Sequence, residues 1–139
     1  MIRSYVSFED ALTPVTVVSE DDSPPPGRGI ADELARGLES HGLALSHPVS
    51  QWEGYGWEFT VNVDGRHTWF MLQASDKWLL VSDAPRTLIE RLRGVTTEDQ
   101  HQKALATLAT VLGSPRFTVK WFTKADFESN NEAAASPNP

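Results

Sequence analysis

The sequence predicts one α+β domain, in which an antiparallel sheet of about five strands carries two longer helices and one short helix on one face. A chain of 139 residues can bury one hydrophobic core and is too short for two. Two β-prone runs meet at Asp64-Gly65, which is the strongest short-range signal for a β-hairpin. The order along the chain is strands, helix, meander, two helices and a final strand, so the helices can gather on one side of the sheet.

The N-terminal segment contains two short apolar runs that favour strands. These are Ile2–Phe8 and Pro14–Val18, and the second run is rich in β-branched residues. Three consecutive prolines at 24–26 then exclude a helix and favour an extended connection. We expect a stiff loop here, although such a stretch can also serve as a ligand for an aromatic groove.

The first helix should extend over about Gly29–His41. Ile30, Leu34 and Leu38 fall on one stripe of such a helix and would cover a sheet. Gly42 is suited to end it, because the residue after a helix often adopts the left-handed conformation that glycine tolerates.

The middle of the chain predicts a meander of antiparallel strands. Leu43–Val49 favours a strand, and Pro48 indicates an edge or a bend of the sheet. The stretch Gln51–Gly56 fits either a continuation of this strand or a loop that leads into the hairpin. A further strand is predicted over Lys77–Ser82, after a polar turn at 74–76.

Two helices should follow the meander. For the short helix, Asp83 is a suitable N-cap, and Leu88, Ile89 and Leu92 are expected to form its buried side. The longer helix should begin near Thr97 and end at Gly113. Its predicted apolar face consists of Leu105, Leu108, Val111 and Leu112.

The chain ends with one more strand and a polar segment. Arg116–Thr123 predicts a strand with Phe117, Val119 and Trp121 on one side. From Lys124 onward the apolar periodicity is lost. The composition therefore predicts a domain over 1–123 and a flexible tail over 124–139.

The hairpin determines which side chains share a face of the sheet. A two-residue Asp64-Gly65 loop pairs Val63 with Arg66, and opposite residues in an antiparallel ladder point the same way. One side is strongly apolar and should face the helices. Its predicted members are Trp57, Phe59, Val61, Val63, Phe70 and Leu72.

The other side of the hairpin mixes polar groups with large apolar ones. Its predicted members are Glu58, Thr60, Asn62, His67, Trp69, Met71 and Gln73. Trp78 joins this side or the core according to the length of the preceding turn, since one residue of slip reverses a strand's faces. Because an indole is costly to leave in water, we expect this side to be covered by another part of the chain, by a second copy, or by a foreign partner or ligand.

Few patterns in the chain indicate catalysis or metal binding. The four histidines lack the spacing of a helical metal site, and the sequence has no cysteine. The one acid–base candidate is Glu58 with His67, taken as diagonal neighbours on the mixed side, and such cross-strand pairs are usually structural. We therefore predict no metal, no cofactor and no catalytic residue.

The net charge of −7 is carried entirely by residues 1–70. An acidic chain repels phosphate backbones, which disfavours nucleic acid as a partner, whereas a basic protein would be attracted. No apolar run approaches the ~20 residues of a membrane span, and the first residues do not resemble a secretory signal. With the absence of cysteine, these features favour a cytoplasmic protein.

Binding is the function that these features favour. We expect a small soluble, non-enzymatic protein that presents an acidic, aromatic sheet face to a protein partner, in the manner of an immunity protein or an adaptor. The candidate binding residues are Glu58, Thr60, His67, Trp69, Met71, Gln73 and Trp78. Two alternatives are a small-molecule pocket built from Trp52, Tyr55, Trp69 and Trp78, and an enzyme that uses Glu58 and His67; self-association is a further alternative for the aromatic face.

Overall fold

The computed structural model describes residues 2–15 and 24–138, and within these ranges it contains six strands and four helices. The strands are β1 (Tyr5–Asp10), β2 (Leu45–Trp52), β3 (Gly56–Val63), β4 (Arg66–Ala74), β5 (Trp78–Asp83) and β6 (Phe117–Phe122). The helices are α1 (Arg28–Ser40), α2 (Leu88–Leu92), α3 (Glu98–Val111) and α4 (Lys124–Glu128). The predicted α+β class is confirmed, with six strands in place of about five. Most of the predicted strand Pro14–Val18 lies outside the described residues.

All six strands form one antiparallel sheet in the order β2-β3-β4-β5-β1-β6. Strands β2 to β5 are neighbours in sequence and in space, because short turns suffice to join antiparallel strands. Strand β1 comes first in the chain but lies between β5 and β6. Val6 is opposite Leu80 on one side and opposite Trp121 on the other.

The central hairpin has the predicted turn and register. Asp64 and Gly65 both have positive φ, at 52° and 84°, as a type I′ turn requires. Val63 pairs with Arg66, and Phe59 pairs with Phe70, whose ring stacks on it at 5.3 Å between centroids. The six side chains predicted for the apolar side are all buried.

Strand β2 is an irregular edge strand. Its register against β3 shifts on both sides of His47, close to Pro48, as expected where a proline interrupts pairing. The strand continues to Trp52 and is followed by a turn at 53–55, in which Glu53 has a φ of 49°. The stretch Gln51–Gly56 is thus partly strand and partly turn.

Helices α1 and α3 pack side by side on the apolar face of the sheet. Gly37 permits their close approach, because a Cβ there would lie 2.7 Å from Cγ1 of Val111. No helix in the described part of the chain is long and apolar enough to cross a membrane. The buried side chains that the two helices contribute include Ile30, Leu34, Leu38, Leu105 and Leu108.

Trp78 lies in the core and is 1% exposed. A three-residue turn at 75–77 pairs it with Ala74, which puts it on the same side as Leu72 and Leu80. Its indole N–H donates to the carbonyl of Thr13 at 2.9 Å, so the one polar atom of the ring is satisfied. The inclusion of Trp78 among the candidate binding residues is therefore wrong.

The short helix α2 differs from its prediction in two ways. It begins after Thr87, which forms a capping box with Glu90, and not after Asp83, which ends β5. Its apolar side is also exposed instead of buried. Leu88, Ile89 and Leu92 are exposed by 72%, 61% and 79%, respectively. The periodic pattern identified an apolar helix face but not whether the fold supplies anything to cover it.

The segment predicted as a flexible tail is mostly exposed over residues 124–138, but it contains a short helix and one β-bridge to the sheet. Thr123 caps α4 by accepting a hydrogen bond from the amide of Asp126. Ala134 then pairs with Trp121 through two backbone hydrogen bonds of 2.9 and 2.7 Å. This bridge covers part of the outer edge of β6.

Candidate interaction surface

The sheet face directed away from α1 and α3 is called the outer face below. Strand register places Glu58, Thr60 and Asn62 of β3 opposite Met71, Trp69 and His67 of β4, as predicted. The neighbouring strands β2 and β5 extend this face. The positions that they add are His47, Ser50, Trp52, Leu79, Val81 and Asp83.

Three aromatic side chains form a continuous group, the Trp52–Tyr55–Trp69 cluster, at the β2–β4 end of the outer face. The Trp52 and Trp69 rings meet edge to face with centroids 6.2 Å apart, and Trp52 lies 5.9 Å from Tyr55. Both indoles are half-buried, whereas Tyr55 is 64% exposed. Each ring shields part of the next, so the cluster is ordered by its own contacts and still presents a broad aromatic surface.

Carboxylates surround this cluster. Asp83 of β5 is directly opposite Trp69, and Glu58 of β3 lies one pair farther along the hairpin. Glu53 is exposed in the turn that carries Tyr55. The outer-face positions of β2–β5 contain no lysine or arginine. The field here is therefore negative, which favours positively charged groups on a partner.

The opposite end of the outer face is covered by the chain itself. The Phe127 ring of α4 lies 5.1 Å from Tyr5 of β1 and 5.5 Å from Phe122 of β6. This contact lies over β1 and β6 and does not reach the hairpin side for which cover from within the chain is one of the expectations. The aromatic cluster lies on the far side of β5 from this contact.

Two of the predicted site residues are not accessible to a partner. Met71 points to the outer face but is only 6% exposed, and Trp78 belongs to the core. Glu58, Thr60, His67, Trp69 and Gln73 retain accessible surface. Trp52, Tyr55 and Asp83 are members that the predicted site did not include.

The signal for the missed residues was present in the sequence but ambiguous. The sequence offers Trp52 and Tyr55 only as part of a pocket, because it gives no register for the stretch Gln51–Gly56. For Asp83 the sequence predicts a helix cap. Since Trp78 is in the core, the proposed four-aromatic pocket does not form as a unit.

Glu58 and His67, the candidate acid–base pair, are not in contact. Glu58 is opposite Met71, four residues from His67 along β4, which separates their backbones by about 13 Å. His67 instead has its Nδ1 atom 2.9 Å from the hydroxyl of Ser46. The prediction that they are diagonal neighbours is wrong, because the residue of β4 diagonal to Glu58 on that side is Trp69, and His67 lies two residues farther along the strand.

A second serine–histidine contact lies inside the molecule. Nε2 of His101 is 2.8 Å from Oγ of Ser82, and the serine hydroxyl donates to the carbonyl of Ser4 at 3.1 Å. Burial lowers the pKa of His101, opposed by the charges of Asp83 and Glu98. Both side chains are below 8% exposed, so the pair joins α3 to the sheet and offers no access to a substrate.

The outer face therefore combines a contacting aromatic group with a negative surround, on the side of the sheet that the long helices leave uncovered. Large aromatic side chains with charged groups around them are typical of interface residues. Comparison with protein families, curated proteins and solved structures finds no match to this chain.

Proposed function

We propose that the protein is a non-enzymatic interaction domain that binds a protein partner through the outer face of its sheet. The observation that carries this proposal is the Trp52–Tyr55–Trp69 cluster, three contacting rings of which Tyr55 is 64% exposed. Tryptophan and tyrosine are enriched at the energetic centres of interfaces, because they bury a large area with few rotatable bonds. A partner that covers the rings would gain most of its affinity there.

The charge around the cluster favours a basic partner. Glu53, Glu58 and Asp83 can pair with lysine or arginine side chains, and an arginine plane can also stack on an indole. Such a complex should form quickly and weaken as salt is added. An immunity-protein-like or adaptor-like role, in which a small acidic protein covers a basic one, fits this chemistry. We propose a cytoplasmic location because the chain has no cysteine.

The test is affinity capture from the native host with three variants. Trp69→Ala should remove the recovered stoichiometric partner, because loss of a central interface aromatic costs about 2 kcal/mol or more, which is ~30-fold in Kd. Trp69→Phe should retain most of the binding. Leu12→Ala is the matched control, since Leu12 is 74% exposed and lies outside the outer face.

Two results would contradict the proposal. One is recovery of the same partner with equal yield by the wild type and by Trp69→Ala. The other is an absence of any stoichiometric partner at low salt, when electrostatic attraction to the acidic face is strongest.

A further inference from the structure

The exposed side of α2 is the second large apolar feature of the surface. It is called the α2 patch and consists of Leu88, Ile89 and Leu92, each more than 60% exposed. The helix buries none of its five residues and is tied to the rest of the fold by polar contacts. Its capping box fixes the first turn, and Glu90 forms an ion pair with Arg66 of β4. A capped helix that exposes three adjacent aliphatic side chains has the form of a docking element.

Arginines surround the α2 patch. Arg86, Arg91 and Arg93 are all exposed, and none of them forms an ion pair with a residue in the described ranges 2–15 and 24–138. This basic, apolar spot belongs to a chain whose net charge is −7. A partner surface suited to it has to be both negative and apolar.

We propose that the α2 patch docks on the outer face of a second copy of this chain, beside Trp69 and Asp83. The outer face supplies the two properties that the patch requires, namely aromatic rings and the carboxylates of Glu58 and Asp83, which form no ion pair with any residue that the structure describes. Contact between the α2 patches of two copies is disfavoured, because it would bring the arginines of both copies together. Docking on an anionic lipid surface is also disfavoured, since the rest of the chain is acidic.

The two surfaces adjoin, which allows the contact to close into a dimer. Strand β5 ends at Asp83 and α2 begins five positions later. A cleft of about 520 Å³ lies between the turn side of the hairpin, at 64–67, and the segment that leads into α2, at 85–90. His67 of the outer face and Arg86 beside the α2 patch both line it. A twofold arrangement can thus lay each α2 on the outer face of the other copy and bury both features of both copies at once.

This inference shares the outer face with the proposed function but does not require a foreign partner. A foreign partner would have to displace α2, so a variant without self-association should bind such a partner more tightly than the wild type. If self-association is absent, the foreign-partner proposal is unaffected. If Trp69→Ala does not weaken binding of a foreign protein, the proposed function fails, and the measurements of self-association still test this inference.

The first experiment measures the mass of the purified protein by analytical ultracentrifugation over a range of concentrations at low salt. We expect a monomer–dimer equilibrium that shifts toward monomer in high salt. Leu88→Ser with Leu92→Ser should raise the dimer Kd by about tenfold or more, because it removes the apolar part of the contact. Leu12→Ser is the matched control, an equally exposed aliphatic residue elsewhere, and should leave the Kd unchanged.

The second experiment identifies the surface that α2 contacts by exchanging charges. One variant has Glu58→Lys and Asp83→Lys, and the other has Arg86→Glu and Arg91→Glu. Each variant alone should be monomeric, because its two surfaces then have the same sign. A mixture of the two should form a heterodimer, because each basic surface meets an acidic one.

Several outcomes would overturn the inference. A wild type that is monomeric at all concentrations would do so, as would dimers that persist in the Leu88/Leu92 variant. Dimers lost in the α2 variant but kept in the Glu58/Asp83 variant would show that α2 docks elsewhere. Binding of the monomeric wild type to phosphatidylserine vesicles, abolished by Leu88→Ser with Leu92→Ser, would reassign the patch to a membrane surface.

Discussion

The ion pair of Asp10 and Arg116 joins the end of β1 to the residue before β6. Its two hydrogen bonds measure 2.6 and 2.7 Å, and Arg116 makes a third contact of 2.7 Å to Glu33 of α1. Asp10 is 4% exposed, so its carboxylate depends on this partner. The hydrogen bond from Arg116 is the main reason that the pKa of Asp10 lies below its ordinary value of 3.8.

Arg116→Met should destabilise the protein by about 3 kcal/mol, because it leaves a buried carboxylate without its charge partner. Urea denaturation at pH 7 measures this loss. Arg36→Met, a change of an exposed arginine on α1, is the control and should have little effect. Since the pKa of Asp10 is lowered, its contribution is complete above pH 3.8 and is lost as the pH falls below that value. Equal losses in the two variants would show that the pair is not stabilising.

His101 gives stability a second dependence on pH. Burial lowers its pKa in the folded state, so the unfolded chain binds the proton more readily. Stability should be constant above the ordinary value of 6.5 and fall as the pH is lowered through it, by at most about 1.4 kcal/mol per pH unit for one proton. Urea midpoints between pH 5 and pH 8 test this. His101→Gln should flatten the profile, whereas the exposed His41→Gln should not; identical slopes would refute the assignment.

At the scale of elements, the prediction succeeded where local geometry determines the result. The Asp64-Gly65 turn imposes a register on β3 and β4, and that register decides the faces of Phe59 and Trp69 without any knowledge of the rest of the fold. The face of Trp78 depended on one residue of turn length, which sequence alone did not specify. The apolar spacing of α2 was recognised, but whether a partner element covers it is a property of the tertiary fold.

Helix α4 lies in the segment for which the composition predicts a flexible tail. The polar segment after residue 123 contains one aromatic residue, Phe127, which packs on Tyr5 and Phe122. Phe127→Ala should lower the free energy of unfolding by about 2 kcal/mol, less than the 3–5 kcal/mol of a fully buried phenylalanine, because the ring is half-buried. Chemical denaturation measures the change, with the exposed Glu128→Ala as control. No difference between the two variants would support the predicted flexible tail.

Across the whole molecule, the candidate surface was only partly predictable. The hairpin places Glu58, Thr60, His67 and Trp69 on one face. The aromatic contact of Trp69 with Trp52 and its pairing with Asp83 come from β2 and β5, respectively. Those strands reach the hairpin through an irregular edge and a three-residue turn, neither of which has a strong sequence signal. The distribution of charge was also only partly predictable. The acidic excess of residues 1–70 is evident from the sequence, whereas the arginines around α2 belong to residues 71–139, whose net charge is zero.

The position of β1 has a consequence for how the protein is made. Its two neighbours, β5 and β6, are separated from it by about 70 and 110 residues of chain, so neither pairing is available when the first strand is synthesised. During translation the β2–β5 meander can assemble first, with one flank of β5 left unpaired. That flank is a template for other nascent chains until the N-terminal strand inserts, so newly made protein should be most prone to aggregate at this stage.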